Sequence, residues 1–254
     1  MQKNNKKFLN VRNNFGWTMA EMIIVFFIAS VLVTSVYSGK HIIEMSKLAN
    51  AVNITGQADF VDSDDLVLWL ETSSISKNVK KVKNDTDDDF DTWHDLSKNQ
   101  NDFVVNSGNL NLNKSTIYPA IKSIKFDGTN YLESSSPLNL EEYTAIIVGK
   151  GINSPANGEI ISSGFVIKSS EIGNNNITFI KNDGTTKQSK KLNVSGFSTI
   201  DSHSDNLDTS PTTNMFIGKN GFKGEILEII IFEKILNEKE IQKMEEYLNS
   251  KYKE

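Results

Sequence analysis

The chain has 254 residues, a formal net charge of −5 and no cysteine. The missing cysteines exclude disulfides and thiolate zinc sites, so stability must come from a packed core. The mildly acidic balance excludes a general nucleic-acid binder, which needs a basic surface, and no nucleic acid is expected as a partner.

Lys3, Lys6, Lys7 and Arg12 stand in a leader without acidic residues, and between Met19 and Tyr37 the one charge is Glu21. A helix rising 1.5 Å per residue needs roughly 20 apolar residues to cross about 30 Å of hydrocarbon, and this run suffices. A basic flank followed by an apolar span predicts insertion with the leader in the cytoplasm. Glu21 is the anomaly, because a carboxylate at full depth costs ~2.5–3.5 kcal/mol. A cut after Gly16 would create a compensating amine at Trp17, and a neighbouring subunit's amine is better placed to meet Glu21 than the amine of the same helix.

Gly16, an aromatic residue, Thr18, and Glu21 fifth after the glycine resemble the type III signal of type IV pilins and pseudopilins. Trp17 stands where that family usually has Phe, and Met19-Ala20 replaces its commoner Leu-Ile or Leu-Leu pair. The resemblance implies that prepilin peptidase cuts between Gly16 and Trp17 and methylates the new N-terminus. It also implies that Glu21 sets subunit register in a filament. A single-pass anchor or an uncleaved signal segment is the plain alternative.

Beyond Tyr37 the helix is predicted to continue amphipathically, with Ile42, Ile43, Met45, Leu48, Ala49 and Val52 at spacings of three and four. Gly39 is a soft point and Gly56 the expected end. Residues 59–65 read as an acidic link, and Leu66-Val67-Leu68-Trp69-Leu70 as the first strand. Lys77 to Asp91, with Asp87-Asp88-Asp89, reads as a solvated loop. Short strands separated by Asn, Gly, Ser and Asp clusters then run to residue 232. Among them, residues 143–148 read as a strand buried on both faces, Asn182-Asp183-Gly184-Thr185 as a hairpin turn, and residues 198–213 as a long polar loop. If the last strand is regular, Ile226, Glu228, Ile230 and Phe232 share one face. A closing helix is capped by Asn237 with Glu240 three residues on, stapled by Leu236 and Ile241.

About ten short strands without intervening helices imply two packed antiparallel sheets. Trp93-His94-Asp95-Leu96-Ser97-Lys98-Asn99-Gln100-Asn101-Asp102-Phe103, the Ile124-Lys125-Phe126-Asp127-Gly128-Thr129-Asn130-Tyr131-Leu132 hairpin, the 143–148 strand and the 224–232 ending resemble bacterial laminin-G-like, concanavalin A-like jelly rolls. The resulting fold class is α+β by content: a long N-terminal helix, an antiparallel β-sandwich and a short C-terminal helix. The expected divisions are leader 1–16, membrane or filament helix 17–56, linker 57–65 and sandwich 66–254.

Ligand-binding members of that fold class hold sugars, some of them with calcium. By resemblance Asp95, Asn101 and Asp127 are the ligand or calcium candidates, against the plainer reading that Asp95 and Asp127 brace turns through their own backbone amides. Trp69 and Trp93 read as core. His41, His94 and His203 are scattered and form no metal set, so no cofactor is expected beyond that calcium. Jelly-roll glycosidases need two carboxylates on one strand face, whereas Glu225 and Glu228 on a regular strand point oppositely. No catalytic residue is assigned, and the chain is expected not to be an enzyme.

The expectation is therefore a minor pilin or pseudopilin, processed at the bacterial inner membrane and assembled into a periplasmic or extracellular filament. Its partners would be prepilin peptidase, other pilin subunits, the membrane, and a glycan or surface protein bound by the sandwich. The alternatives are an anchored binding module that never polymerises and a polysaccharide hydrolase.

Overall fold

A computed structural model describes residues 19–74, 79–81, 90–134, 136–172, 176–201 and 214–252. The leader, Gly16, Trp17 and the Asp87–Asp89 run lie outside the described residues, as do residues 202–213 of the polar loop. The chain divides into two compact units after Ile43.

Helix α1 (Met19–Thr55) has 37 residues, about 55 Å at 1.5 Å per residue. It runs through Gly39 and stops one residue before Gly56. In the first unit its apolar side chains face outward all round: Ile23 is 63% exposed, Phe27 68% and Val33 70%. From Glu44 onward it belongs to the globular unit. There the inward-facing residues are Leu48, Ala51 and Thr55, spaced by three and four, while Met45, from the predicted stripe, stays 60% exposed. The small Ala51 and Thr55 admit close approach, and Thr55 Oγ1 is satisfied by Ala51 O at 3.0 Å and by the Ser73 hydroxyl at 3.2 Å.

The sandwich contains fifteen strands among the described residues: β1 (Leu66–Glu71), β2 (Val79–Lys81), β3 (Phe90–Trp93), β4 (Phe103–Ser107), β5 (Asn111–Lys114), β6 (Lys122–Asp127), β7 (Tyr131–Ser134), β8 (Tyr143–Gly151), β9 (Glu159–Ser162), β10 (Val166–Lys168), β11 (Ile177–Asn182), β12 (Lys187–Lys191), β13 (Ser198–Asp201), β14 (Phe216–Lys219) and β15 (Lys223–Phe232). A single helical turn, α2 (Ser169–Ile172), follows β10, and helix α3 (Glu238–Lys251) closes the chain. One sheet runs β13-β12-β11-β8-β15-β6-β5, with β1 also paired to β15; the other runs β10-β9-β14-β7-β4-β3-β2. All pairings are antiparallel. The expected count of ten falls short because several strands, such as Lys187–Lys191, are too polar to read as strands.

Two hydrophobic clusters organise the fold. Between the sheets lie Leu68, Trp93, Phe103, Ile124, Leu132, Ala145, Ile147, Ile161, Ile217, Ile229 and Ile231. On the outer side of the eight-stranded sheet lie Trp69, Ile146, Val148, Phe179, Ile230, Phe232 and the helix residues Ala51, Ile241, Met244 and Leu248. Strand β8 is therefore apolar on both faces, as its lack of alternation predicts.

Five local expectations are corrected. Residues 198–213 are not loop throughout, because Ser198–Asp201 form β13 beside β12. Nor is the stretch from Lys77 to Asp91, which contributes β2 and the start of β3. Residues 59–65 are not a bare link: a 3₁₀ turn (Asp59–Asp62) seats Phe60 against Trp69 and Tyr247, with ring centroids 4.8 and 5.0 Å away. The Asp127-Gly128 turn joins β6 in one sheet to β7 in the other, so it is a corner and not a hairpin. Strand β15 is irregular between Ile226 and Glu228, where its neighbour on one edge changes from β6 to β1. The bulge puts Ile226, Ile229 and Ile231 in the inter-sheet core and Leu227, Ile230 and Phe232 outside.

Candidate functional site

The first candidate is the apolar half of α1. Glu21 lies in its first turn, where the positive end of the helix dipole favours a carboxylate. Further along, hydroxyls return to the helix's own backbone: Ser30 donates to Phe27 O at 2.8 Å, Thr34 to Ser30 O at 2.7 Å and Ser35 to Val31 O at 2.8 Å. Such back-bonding satisfies polar groups without water, as a dry surround requires. The helix is long and apolar enough to cross a membrane.

The second is the stretch around Asp95, between β3 and β4. Its carboxylate accepts from Trp69 N, Ser97 N and Asn101 N, each at 2.9 Å, and from Ser97 Oγ at 2.7 Å. Burial pushes its pKa up against those four donors, with a net rise. Asn101 donates through Nδ2 to Ser136 O at 3.3 Å, and its buried Oδ1 has no hydrogen-bond partner. Beside them Asp102 orients His94 at 2.7 Å through Nδ1 and accepts from Asp95 N at 2.9 Å. Asp127 sits elsewhere, at the corner after β6. There it accepts from Thr129 N and Oγ1 at 2.8 and 2.7 Å, and these bonds hold its carboxyl below the usual range. Asp95 and Asn101 thus share one turn system, and Asp127 belongs to another. Among the described residues no three His, Cys, Asp or Glu side chains converge as a metal set.

A third group escaped the sequence reading. Lys251 of α3 lies 3.1 Å from Glu228 and 3.3 Å from Glu71, and all three side chains are fully buried. Trp69 Nε1, Tyr247 Oη and Tyr252 Oη donate to Glu228 at 2.7, 2.7 and 2.8 Å. Glu71 also accepts from Ser73 and from Ser74 N. Burial alone would raise the Glu71 carboxyl; Lys251 and these donors outweigh it and hold it low. The residues come from positions 69–74, 228 and 247–252, so no local spacing announces them. A lysine on the apolar face of the closing helix was the available signal.

Glu225 is buried too, accepting from Thr116 N at 3.0 Å and Ser123 Oγ at 2.8 Å, with Lys150 at 3.8 Å. Because of the bulge, Glu225 and Glu228 both lie on the outer side of the sheet, correcting their expected opposition. Trp69 and Trp93 are core, at 2% and 0% exposure. An open cleft of about 580 Å³ lies between the end of α1 and α3, lined by Ile54, Ala58, Phe60, Lys234, Met244 and Tyr247 among others.

No protein-family profile and no curated protein matches the chain. Solved structures similar in fold include a mutant GH54 α-L-arabinofuranosidase (7% identity, TM-score 0.45, covering 64% of this chain and 51% of that one). Others are Trypanosoma rangeli sialidase (10%, 0.45, 76% and 34%) and the binding domain of botulinum neurotoxin DC in complex with SialylT (17%, 0.45, 73% and 52%). The chain thus spans about half the length of the arabinofuranosidase and a third of the sialidase. The expectation that this chain is not an enzyme is withdrawn, because the face argument behind it fails: the bulge in β15 leaves Glu225 and Glu228 on one side of the sheet.

Proposed function

We propose that the chain is a pilin-like subunit, a minor pilin or pseudopilin, carrying a sandwich head that binds a glycan or surface protein. Prepilin peptidase would cut between Gly16 and Trp17 at the bacterial inner membrane, leaving Glu21 near the start of an outward-facing apolar helix. That helix would then pass from bilayer to filament core, in a periplasmic or extracellular filament, with neighbouring helices replacing lipid. Both surroundings are dry, so the exchange carries little net hydrophobic cost. Asp95, Asn101 and Asp127 remain the calcium and ligand candidates of the head.

One observation carries this reading: α1 exposes apolar side chains all round while its hydroxyls are internally satisfied and a single carboxylate occupies its first turn. A plain anchor has no use for Glu21; a helix that meets another copy's terminal amine does. Glu21→Ala tests it. Processing should persist while recovery in sheared filaments falls about tenfold or more, the loss of a charge-assisted contact of ~1.5–3 kcal/mol. Incorporation at the unaltered level would remove the register role.

A further inference from the structure

We infer that a pocket on the outer side of the eight-stranded sheet, beside α3, is a binding site for a small organic monocarboxylate, with the Lys181 ammonium as its counter-charge. The inference rests neither on glycan recognition by the head nor on filament assembly. The pocket holds about 350 Å³ and is lined by Lys181, Lys190, Phe197, Glu238, Ile241 and Glu245 among others. Three elements build it. Strands β11 and β12 form the floor. Lys190 pairs with Phe179, whose ring belongs to the outer cluster, and Lys181 lies two residues beyond Phe179. Both lysines therefore leave the sheet on the side that carries α3. Ile241 and Glu245, four residues apart on α3, form one wall. The segment from Leu192 to Phe197 forms the other. Its turn holds Asn193 in the left-handed region, at φ 61°, and reciprocal amide bonds of 3.1 and 3.0 Å join Asn193 to Asn249 of α3. Residues outside the pocket thus tie its two walls together.

The charges inside are unequally matched. Lys190 pairs with Glu245 at 2.9 Å. The half-buried Lys181 rests 4.3 Å from the centroid of the Phe197 ring and has no ion-pair or hydrogen-bond partner among the described residues. Burial and the neighbouring Lys190 charge push its pKa down, and the carboxylates of Glu238 and Glu240 do not make up the difference. Glu240 is engaged by Lys234 and by Asn237 N, each at 2.8 Å. Glu238 is exposed, so water and salt screen it. A cation that its own chain leaves uncompensated favours an anion brought into the same pocket. One free ammonium matches one negative charge; a phosphate dianion would set its second charge against Glu238 and Glu245. The Phe197 ring holds the ammonium and leaves the ligand the side toward Ile241, an apolar wall. The volume lies within the range of small-ligand sites, about 300–1,000 Å³, so the ligand carries a short hydrocarbon body and is not a bare inorganic ion.

The test is isothermal titration of the full-length chain in nanodiscs with isovalerate, the heat of empty nanodiscs being subtracted. A ligand of this size should bind with a dissociation constant of about 1 mM, and more tightly than acetate. Uncharged isovaleramide and inorganic phosphate should each bind about tenfold more weakly or worse, the weight of one charge-assisted contact. Lys181→Gln should lose the same factor for isovalerate with a nearly unchanged melting temperature. Glu238→Gln, at an exposed position, removes a rival carboxylate and should tighten binding about twofold or more. No isovalerate heat up to about 20 mM, equal binding of the amide or of phosphate, or undiminished binding by folded Lys181→Gln would each overturn the inference. Should Lys181→Gln fail to fold, weaker binding by Glu238→Gln would overturn it instead.

Discussion

Lys251, in the last turn of the C-terminal helix, reaches Glu228 on the bulged final strand at 3.1 Å, with both side chains out of solvent. The bulge turns Glu228 toward the helix, and the lysine sits on the same helix face as Ile241, Met244 and Leu248. With Glu71, the first and last strand-forming segments and the closing helix are tied at one point. The tie extends to α1, because Ser73 bridges Glu71 and Thr55.

Lys251→Met should therefore be costly, since it strands two carboxylates without a cation. Breaking a buried pair from one side costs about 3–5 kcal/mol. Urea denaturation followed by tryptophan fluorescence, with Trp69 in the cluster, reads this directly. Adding Glu71→Gln and Glu228→Gln should recover most of the loss, because no buried charge then remains. A loss under about 1 kcal/mol for the single variant would mean that the cluster is hydrated in solution.

Stability should be flat near neutrality and fall at both ends. The folded Glu71 carboxyl lies below its ordinary 4.5 despite burial, through Lys251 and the Ser73 and Ser74 donors. Its contribution is complete above pH 4.5 and drains as pH falls through the folded value. Glu225 acts the same way, with Thr116, Ser123 and Lys150 outweighing burial. Asp95 opposes them: its pKa is raised, so its share is complete below pH 3.8 and is lost as pH rises through the folded value. Burial and Glu228 hold the Tyr247 and Tyr252 phenols well above 10.0. Their share is complete below pH 10 and is lost as pH rises beyond it. Urea midpoints between about pH 3 and pH 11 check both edges, and a midpoint that rises on acidification below pH 4 would contradict the Glu71 assignment.

Asp95→Ala removes the acceptor for three backbone N–H groups, and at ~1–3 kcal/mol each the loss should reach about 3 kcal/mol or more. Asp127→Ala, at an exposed corner, should stay within about 0.5 kcal/mol. Calcium is read in the same melts. If Asp95 is a brace, EGTA leaves the melting temperature unchanged. A calcium-dependent rise abolished by Asp95→Asn would instead make it a ligand.

Local signals in the sequence were the ones that read true. The Asn237 cap forms with its reciprocal Glu240 bond, Leu236 and Ile241 share one cluster, and the Asn182–Thr185 turn joins β11 to β12. What stayed hidden depends on distant partners. The β15 bulge is set by an exchange of neighbouring strands, which alternation within residues 223–232 cannot show. The inward stripe of outer α1 runs through Leu48, Ala51 and Thr55, of which the apolar spacing announces Leu48, while Met45 from the same predicted stripe stays exposed.

The central claim is that Glu21 meets the terminal amine of another processed copy. The measurement closest to it is the intact mass and N-terminal sequence of the protein from membranes, with the prepilin peptidase present and deleted. The account predicts a chain beginning at methylated Trp17 when the peptidase is present, and one that keeps the leader with Lys3, Lys6, Lys7 and Arg12 when it is deleted. A chain that keeps its lysine-bearing leader in both strains would contradict the account and leave an anchored sandwich domain.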